Sequence, residues 1–167
     1  MQTKIDEADF LIKKLELTPH IEGGYYKRYY QSKHIITRED NIKRKAGSAI
    51  YYLLKKGEFS AWHSILSDEI WHYYQGGLLK IYEIKKDGSL IEHLLGNTLI
   101  NNKASYSIVI ESGSIFAAQL IEGDYILTGC SLHPEFSFDD FILYSKDDML
   151  SKYPKYSSII QQFYLNI

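Results

Sequence analysis

The stretch Gly57-Glu58-Phe59-Ser60-Ala61-Trp62-His63-Ser64-Ile65-Leu66-Ser67-Asp68-Glu69-Ile70-Trp71-His72-Tyr73-Tyr74-Gln75-Gly76 carries most of the structural information in this chain. It spells glycine, five residues, His63, one residue, Ile65, three residues, Glu69, six residues, glycine. Its two halves are rich in aromatic and β-branched residues, which suits two short strands joined near Ser67. Side chains alternate along a strand, so His63 is expected on the face of Phe59, Ala61 and Ile65. By the same alternation Glu69 shares a face with Trp71 and Tyr73, leaving His72 on the opposite face unless a bulge intervenes.

The same texture extends in both directions. Strand-like runs are expected at Ser48 to Leu54, Glu58 to Ile65, Glu69 to Tyr74, Leu78 to Ile84 and Leu90 to Leu95. Further runs fall at Tyr106 to Ile110, Ser114 to Ile121, Tyr125 to Ser131 and Asp140 to Tyr144. The breaks hold Gly57, Gly76-Gly77, Asp87-Gly88, Gly96-Asn97, Gly113 and Gly123. Asp87-Gly88 is a strong hairpin signal, because a two-residue turn needs positive φ at its centre. Many short strands at this spacing predict a sandwich or barrel rather than alternating βαβ units. At the N-terminus, Ala8, Leu11, Ile12 and Leu15 mark one face of a helix over about residues 4–17, with Thr3 and Asp6 as a capping pair and Thr18-Pro19 as the stop. A helical tail is expected over about residues 148–164, with Tyr156, Ile159, Ile160 and Phe163 on one side. The polar, basic segment over residues 33–47 suits a mobile surface loop.

Composition narrows the function. The chain has 167 residues, room for one domain over 1–167, and a formal net charge of -2, which gives no footprint for nucleic acid or an anionic membrane surface. Its apolar runs are far shorter than the roughly 20 residues a membrane-spanning helix needs. Acidic residues stand where a signal peptide would have its apolar stretch, so a cytoplasmic location is expected. Cys130 is the single cysteine, so no intramolecular disulfide can form.

The ruler from Gly57 to Gly76 resembles the first motif of the cupin superfamily, in which a second His stands where this chain has Ile65. In the second motif the stretch Glu111-Ser112-Gly113-Ser114-Ile115-Phe116 puts Glu111 in place of a Pro and Phe116 in place of a His. Blocks covering Leu17 to Tyr26, Ala49 to Leu54, Ser67 to Tyr74, Phe116 to Ala118, Gly129 to Ser131 and Asp139 to Phe141 are similar to cupin family five, a branch of unknown function. Lys27 and Gln31 stand where that branch usually has arginines. The resemblance implies an all-β, double-stranded β-helix (cupin, jelly-roll) barrel over about residues 20–146, short terminal helices, and a homodimer.

In metal-binding cupins two His, the Glu and a third His hold a divalent metal. Here hydrocarbon replaces two of those four, so the expectation is no cofactor; a metal, if any, would use His63 and Glu69. Phe59, Ile65, Trp71, Tyr73 and Phe116 would then line an apolar pocket with His63 and Glu69 as its polar points, a small-molecule composition. His72, Glu111 and Glu22 are further candidates near it, while His20 and His93 are read as ordinary surface or satisfied histidines. Three functions follow. One is a metal-independent isomerase or epimerase of a small polar, sugar-like or nucleotide-linked ligand, with His63 as base, Glu69 orienting it and Tyr73 as acid, by analogy with cupin-like sugar-nucleotide epimerases. The others are a binding module without turnover and a metal-dependent enzyme with an altered ligand set.

Overall fold

The computed structural model describes residues 6–165. In chain order they form helix α1 (Glu7–Leu15) and strands β1 (Thr18–Pro19), β2 (Tyr25–Gln31), β3 (Ile35–Thr37), β4 (Lys43–Lys45), β5 (Ser48–Lys55) and β6 (Phe59–Ile65). Strands β7 (Asp68–Ile84), β8 (Leu90–Leu95), β9 (Ser107–Ile110), β10 (Ile115–His133) and β11 (Phe141–Leu143) follow, and helices α2 (Lys146–Lys152) and α3 (Ser157–Ile160) close the chain.

Nine strands make one curled antiparallel sheet in the order β1-β2-β5-β10-β6-β11, with β7 paired to β10, β8 and β9. This is the expected all-β jelly-roll barrel with short helices at its ends. The 17-residue β7 and the 19-residue β10 pair along their whole length, from Ile115 opposite Ile84 to His133 opposite Asp68. Each was expected as two strands broken at glycine. Instead the strands run through: Gly76 (φ +102°) and Gly123 (φ +94°) absorb register shifts, and a Cβ on Gly77 would meet the Glu122 carbonyl oxygen at 1.8 Å. Glycine bends these strands without ending them. A hairpin forms at Asp87-Gly88 as expected, but residues 85–89 connect its strands and only Gly88 takes positive φ, at +80°, so the turn is longer than the two-residue one the dipeptide predicts.

Three apolar clusters hold the fold. Leu54, Ile65, Trp71, Leu79, Ile81, Phe116 and Ile126 fill the barrel. Ala8, Leu11, Ile12 and Leu15 of α1 pack on Leu53 and Leu127 outside it. The helix is shorter than expected. Asp6 caps it by accepting from Asp9 N, Glu16 ends it in the left-handed region (φ 53°) ahead of Pro19, and Thr3 lies outside the described residues. The tail is two short helices split at Pro154, with Ile160 and Phe163 buried against Trp62 and Tyr82. Residues 33–47 are not a free loop. They form the β3–β4 hairpin, pinned where Arg38 and Arg44 meet the buried Asp140, while Asp139 is exposed. No helix among the described residues is long and apolar enough to cross a membrane.

Candidate functional site

The polar interior starts from an irregularity in β6. Phe116 of β10 stands opposite His63, but Ala118 stands opposite Ser60, so three steps on β6 answer two on β10. The extra residue reverses the alternation. Ser60 and His63 therefore share a target, while Phe59 joins Trp62 on the outer side and packs on Phe163 with ring centroids 5.8 Å apart. The expectation that Phe59 lines the pocket is corrected by this bulge.

Glu22 reaches the same point from the segment before β2. A Cβ on Gly23 (φ +111°) would lie 2.1 Å from the Phe59 carbonyl oxygen, so only glycine lets the two backbones approach this closely. The approach allows Glu22 O to accept from Ala61 N at 2.8 Å. It also carries the carboxyl inside. Glu22 Oε1 accepts from Ser60 Oγ at 2.9 Å, and Oε2 lies 3.4 Å from His63 Nε2 and 3.4 Å from His20 Nδ1.

These groups line a cavity of about 450 Å³ including its mouth, of which about 30 Å³ admits the centre of a water molecule. That is room for about two waters at roughly 10–15 Å³ each. His20, Glu22, His63, Glu69, Cys130 and the exposed Arg28 are its charged, titratable or sulfur-bearing members, set in a wall of Tyr26, Ile50, Tyr52, Ile65, Trp71, Leu132 and Phe136. Burial in this wall decides protonation. It pushes His63 down to about 4, against a weaker opposing effect of its bond to Ala61 O, so the ring is neutral near pH 7. It pushes Glu69 up to about 8, with help from the nearby Glu22, so that carboxyl keeps its proton. Burial likewise raises Glu22 and lowers His20. The indole N–H of Trp71 is buried without an acceptor among the described residues.

The expected residues divide. Glu22, His63, Ile65, Glu69 and Trp71 line the cavity, and Phe116 lies beneath it with its ring 4.1 Å from that of His63. Among the described residues His63 and Glu69 make no mutual hydrogen bond or ion pair, and the carboxyl facing His63 is Glu22. Tyr73 keeps the face of Trp71 but lies outside the lining, farther along the strand, where its hydroxyl donates to Gly76 O at 2.9 Å. His72 bonds Ser131 Oγ at 3.0 Å, away from the cavity. Glu111 is 71% exposed in its side chain and faces Lys85. His20, Tyr26, Arg28, Tyr52 and Phe136 had no expected role. Their only sequence signal is His20 and Glu22 at strand spacing before Gly23-Gly24.

Fold and cavity together define a cupin barrel. A family model described as Cupin superfamily (DUF985) matches residues 9–144, and the chain belongs to that family. It is similar in structure to a protein from Shewanella oneidensis, SO0799, at 35% identity and TM-score 0.86, covering 95% of this chain and 97% of that one. A hypothetical protein from Leishmania major is 28% identical at TM-score 0.88, covering 93% of this chain and 97% of that one. Oxalate decarboxylase from Bacillus subtilis shares the fold alone, at 14% identity and TM-score 0.56, over 87% of this chain and 36% of that one. No curated protein matches the chain.

The donors do not fit the metal centre known from other cupins. Two of its positions are Ile65 and Phe116, and the Phe116 ring supports the His63 ring where a fourth ligand would reach in. His63 Nδ1 faces Ala61 O at 2.7 Å and Nε2 faces Glu22. Among the described residues no three His, Cys, Asp or Glu side chains are arranged to hold a metal ion.

Proposed function

We propose that this protein binds a small polar ligand in the barrel cavity and moves a proton on it, as a metal-independent isomerase or epimerase. One observation carries the reading: His63 and Glu69 are held in opposite protonation states in one apolar cavity, a free base and a protonated acid near pH 7. His63 Nε2 takes the proton from a carbon beside a carbonyl, while the Glu69 carboxyl gives its proton to the carbonyl oxygen. The enol then collapses as the protons return, one to carbon on the other face or at the neighbouring position and one to Glu69. Glu69 thus replaces Tyr73 as the acid, and Glu22 replaces Glu69 as the group beside the base. The unmatched Trp71 N–H supplies a donor for a ligand oxygen. The interior admits only a small reacting group, so the body of a sugar-like ligand, with any phosphate or nucleotide portion, would lie toward the mouth near Arg28.

The test has two stages. A thermal-shift panel of sugars, sugar acids and nucleotide sugars identifies a stabilising compound. That compound is then incubated with the protein in D2O, and loss of a C–H signal is followed by NMR. Exchange is expected, falling 10²–10⁴-fold in His63→Ala with binding retained. Binding without exchange would leave a binding module and remove the catalytic part of the proposal; no stabilising compound would remove the ligand class.

A further inference from the structure

Strand β2 delivers one cation to the cavity. Tyr26 and Arg28 stand opposite Tyr52 and Ile50 of β5, and all four line it. Beyond Arg28 the strand shifts register: Tyr30 answers Ala49, so two steps on β2 meet one on β5. This bulge makes Arg28 the last residue of β2 in the lining, while Tyr29 packs on Tyr51 with ring centroids 4.4 Å apart. Arg28 is exposed and Glu22 and Glu69 are buried, so the cation stands at the mouth and the acids behind it. The chain has three arginines. Arg38 and Arg44 both meet Asp140. Among the described residues no carboxylate lies within ion-pair distance of Arg28. Its guanidinium reaches only Phe136 O, at 3.4 Å, and stands 6.0 Å from the Phe136 ring centre. An open guanidinium fork matches a planar carboxylate, which takes two parallel N–H···O bonds from it.

A second open donor lies deeper. Trp71 also lines the cavity, and its indole N–H is buried without an acceptor among the described residues. The other indole is satisfied, with Trp62 Nε1 donating to Ile160 O at 3.2 Å. Buried donors left unmatched are rare enough to need a partner. The charge of that partner follows from the lining, which holds no Lys and no second Arg. One guanidinium balances one negative charge. A phosphate monoester carries about -1.5 to -2 at pH 7 and would leave charge uncompensated beside two acids. A neutral sugar would leave the fork unfilled.

We propose that Arg28 sets the ligand class: the cavity takes a sugar-like monocarboxylate, with its carboxylate on the Arg28 guanidinium at the mouth and an oxygen of its skeleton on the Trp71 N–H inside. This rests on the reading of the cavity as a site for a small polar ligand, and narrows that ligand to an acid. Arg28 binds and orients; it takes no part in moving the proton. The strand bulge gives it this place, and the absence of a carboxylate neighbour keeps its donors free for the incoming one.

The test is NMR of the full-length protein labelled with ¹⁵N in arginine and tryptophan. It is titrated with glucuronate and galacturonate, with their uronamides, with glucose and galactose, and with the two 6-phosphates. Each uronamide has the shape of its acid without the charge. A uronate is expected to shift both the Arg28 Nε–H and the Trp71 Nε1–H signals, and to bind about 10- to 100-fold more tightly than its uronamide. Added salt should weaken the acid and leave the amide unchanged. Arg28→Gln should bring the acid down to the affinity of the amide, with the Trp71 signal still shifting at saturation. Its melting temperature should stay within about 3 °C of wild type, since Arg28 is exposed and makes one long contact. Arg28→Lys keeps the charge without the fork and should recover only part of the affinity. A uronamide or neutral sugar bound as tightly as the acid, or full acid affinity in Arg28→Gln, overturns the role of Arg28 and leaves the cavity reading standing. A 6-phosphate bound tenfold more tightly than the uronate overturns the carboxylate class. If no compound shifts the Trp71 signal, the cavity reading itself falls.

Discussion

Two buried acids in this molecule have opposite surroundings. Asp140 sits between two guanidinium groups, with Oδ2 2.9 Å from Arg38 Nη1 and 2.8 Å from Arg44 Nε, and these partners hold its carboxyl below the usual range despite burial. It is a clamp that ties the β3–β4 hairpin to the end of the barrel. Glu22 and Glu69 are buried as deeply, yet they meet imidazoles, hydroxyls and a thiol rather than cations. A fold that needed only stability would pair those acids as it pairs Asp140, or replace them with hydrocarbon. Burial without a cation pushes both carboxyls up instead, Glu69 to about 8, and perturbed acids of this kind cluster at functional sites.

That contrast can be broken in four places. The largest effect is expected in the cavity, where His63→Ala should cut ligand C–H exchange 10²–10⁴-fold with the ligand thermal shift retained. Next comes the clamp: Asp140→Ala removes the buried partner that Arg38 and Arg44 share, leaving them only Asp40 and Asp139, and should cost about 3 kcal/mol in urea unfolding with exchange retained. An equal loss of exchange would show that the two regions are one unit. Third, Glu69→Gln should raise stability. The folded protein keeps the Glu69 proton between the ordinary carboxyl value of 4.5 and about 8 while the unfolded chain loses it, so wild-type stability drains away as pH rises through that window. The gain should therefore be near zero below pH 4.5 and grow by roughly 1.4 kcal/mol per pH unit through that window, while exchange is lost. His63 works in the opposite sense. Its depressed value means stability is lost as pH falls from 6.5 toward about 4, a slope that His63→Ala should remove. The smallest effect is Phe59→Ala, which trims a half-buried ring on the outer side and should cost about 1 kcal/mol with the ligand thermal shift unchanged.

The barrel was legible because its signals are local: alternating apolar runs, the Asp87-Gly88 turn and the spacing of His63 and Glu69 all fit within short windows. Gly76 and Gly123 read as strand ends in the sequence, whereas strand partners on both sides carry the backbone through. The site was half legible. His63, Ile65, Glu69 and Trp71 were visible, but nothing in the sequence near residue 60 announces the bulge that turns Phe59 outward and Ser60 toward Glu22. His20 and Glu22 were assigned no partner because their link to His63 spans about forty residues and depends on how closely Gly23 lets two backbones approach.

The two full-length central strands have a consequence for traffic into the interior. β10 pairs with β5 along one half and β6 along the other, and with β7 throughout. Pulling β10 away would break ladders to β5, β6 and β7 at once, so the centre of the barrel wall is its most firmly tied part. A visiting molecule must pass the side chains at the rim, Arg28 and Phe136, whose contacts with each other are long: 3.4 Å from guanidinium to carbonyl and 6.0 Å to the ring. Of the two, Phe136 is tied down by its N–H to Ser48 Oγ at 3.0 Å and its packing on Phe138 and Phe141, whereas Arg28 is exposed and has the freer side chain.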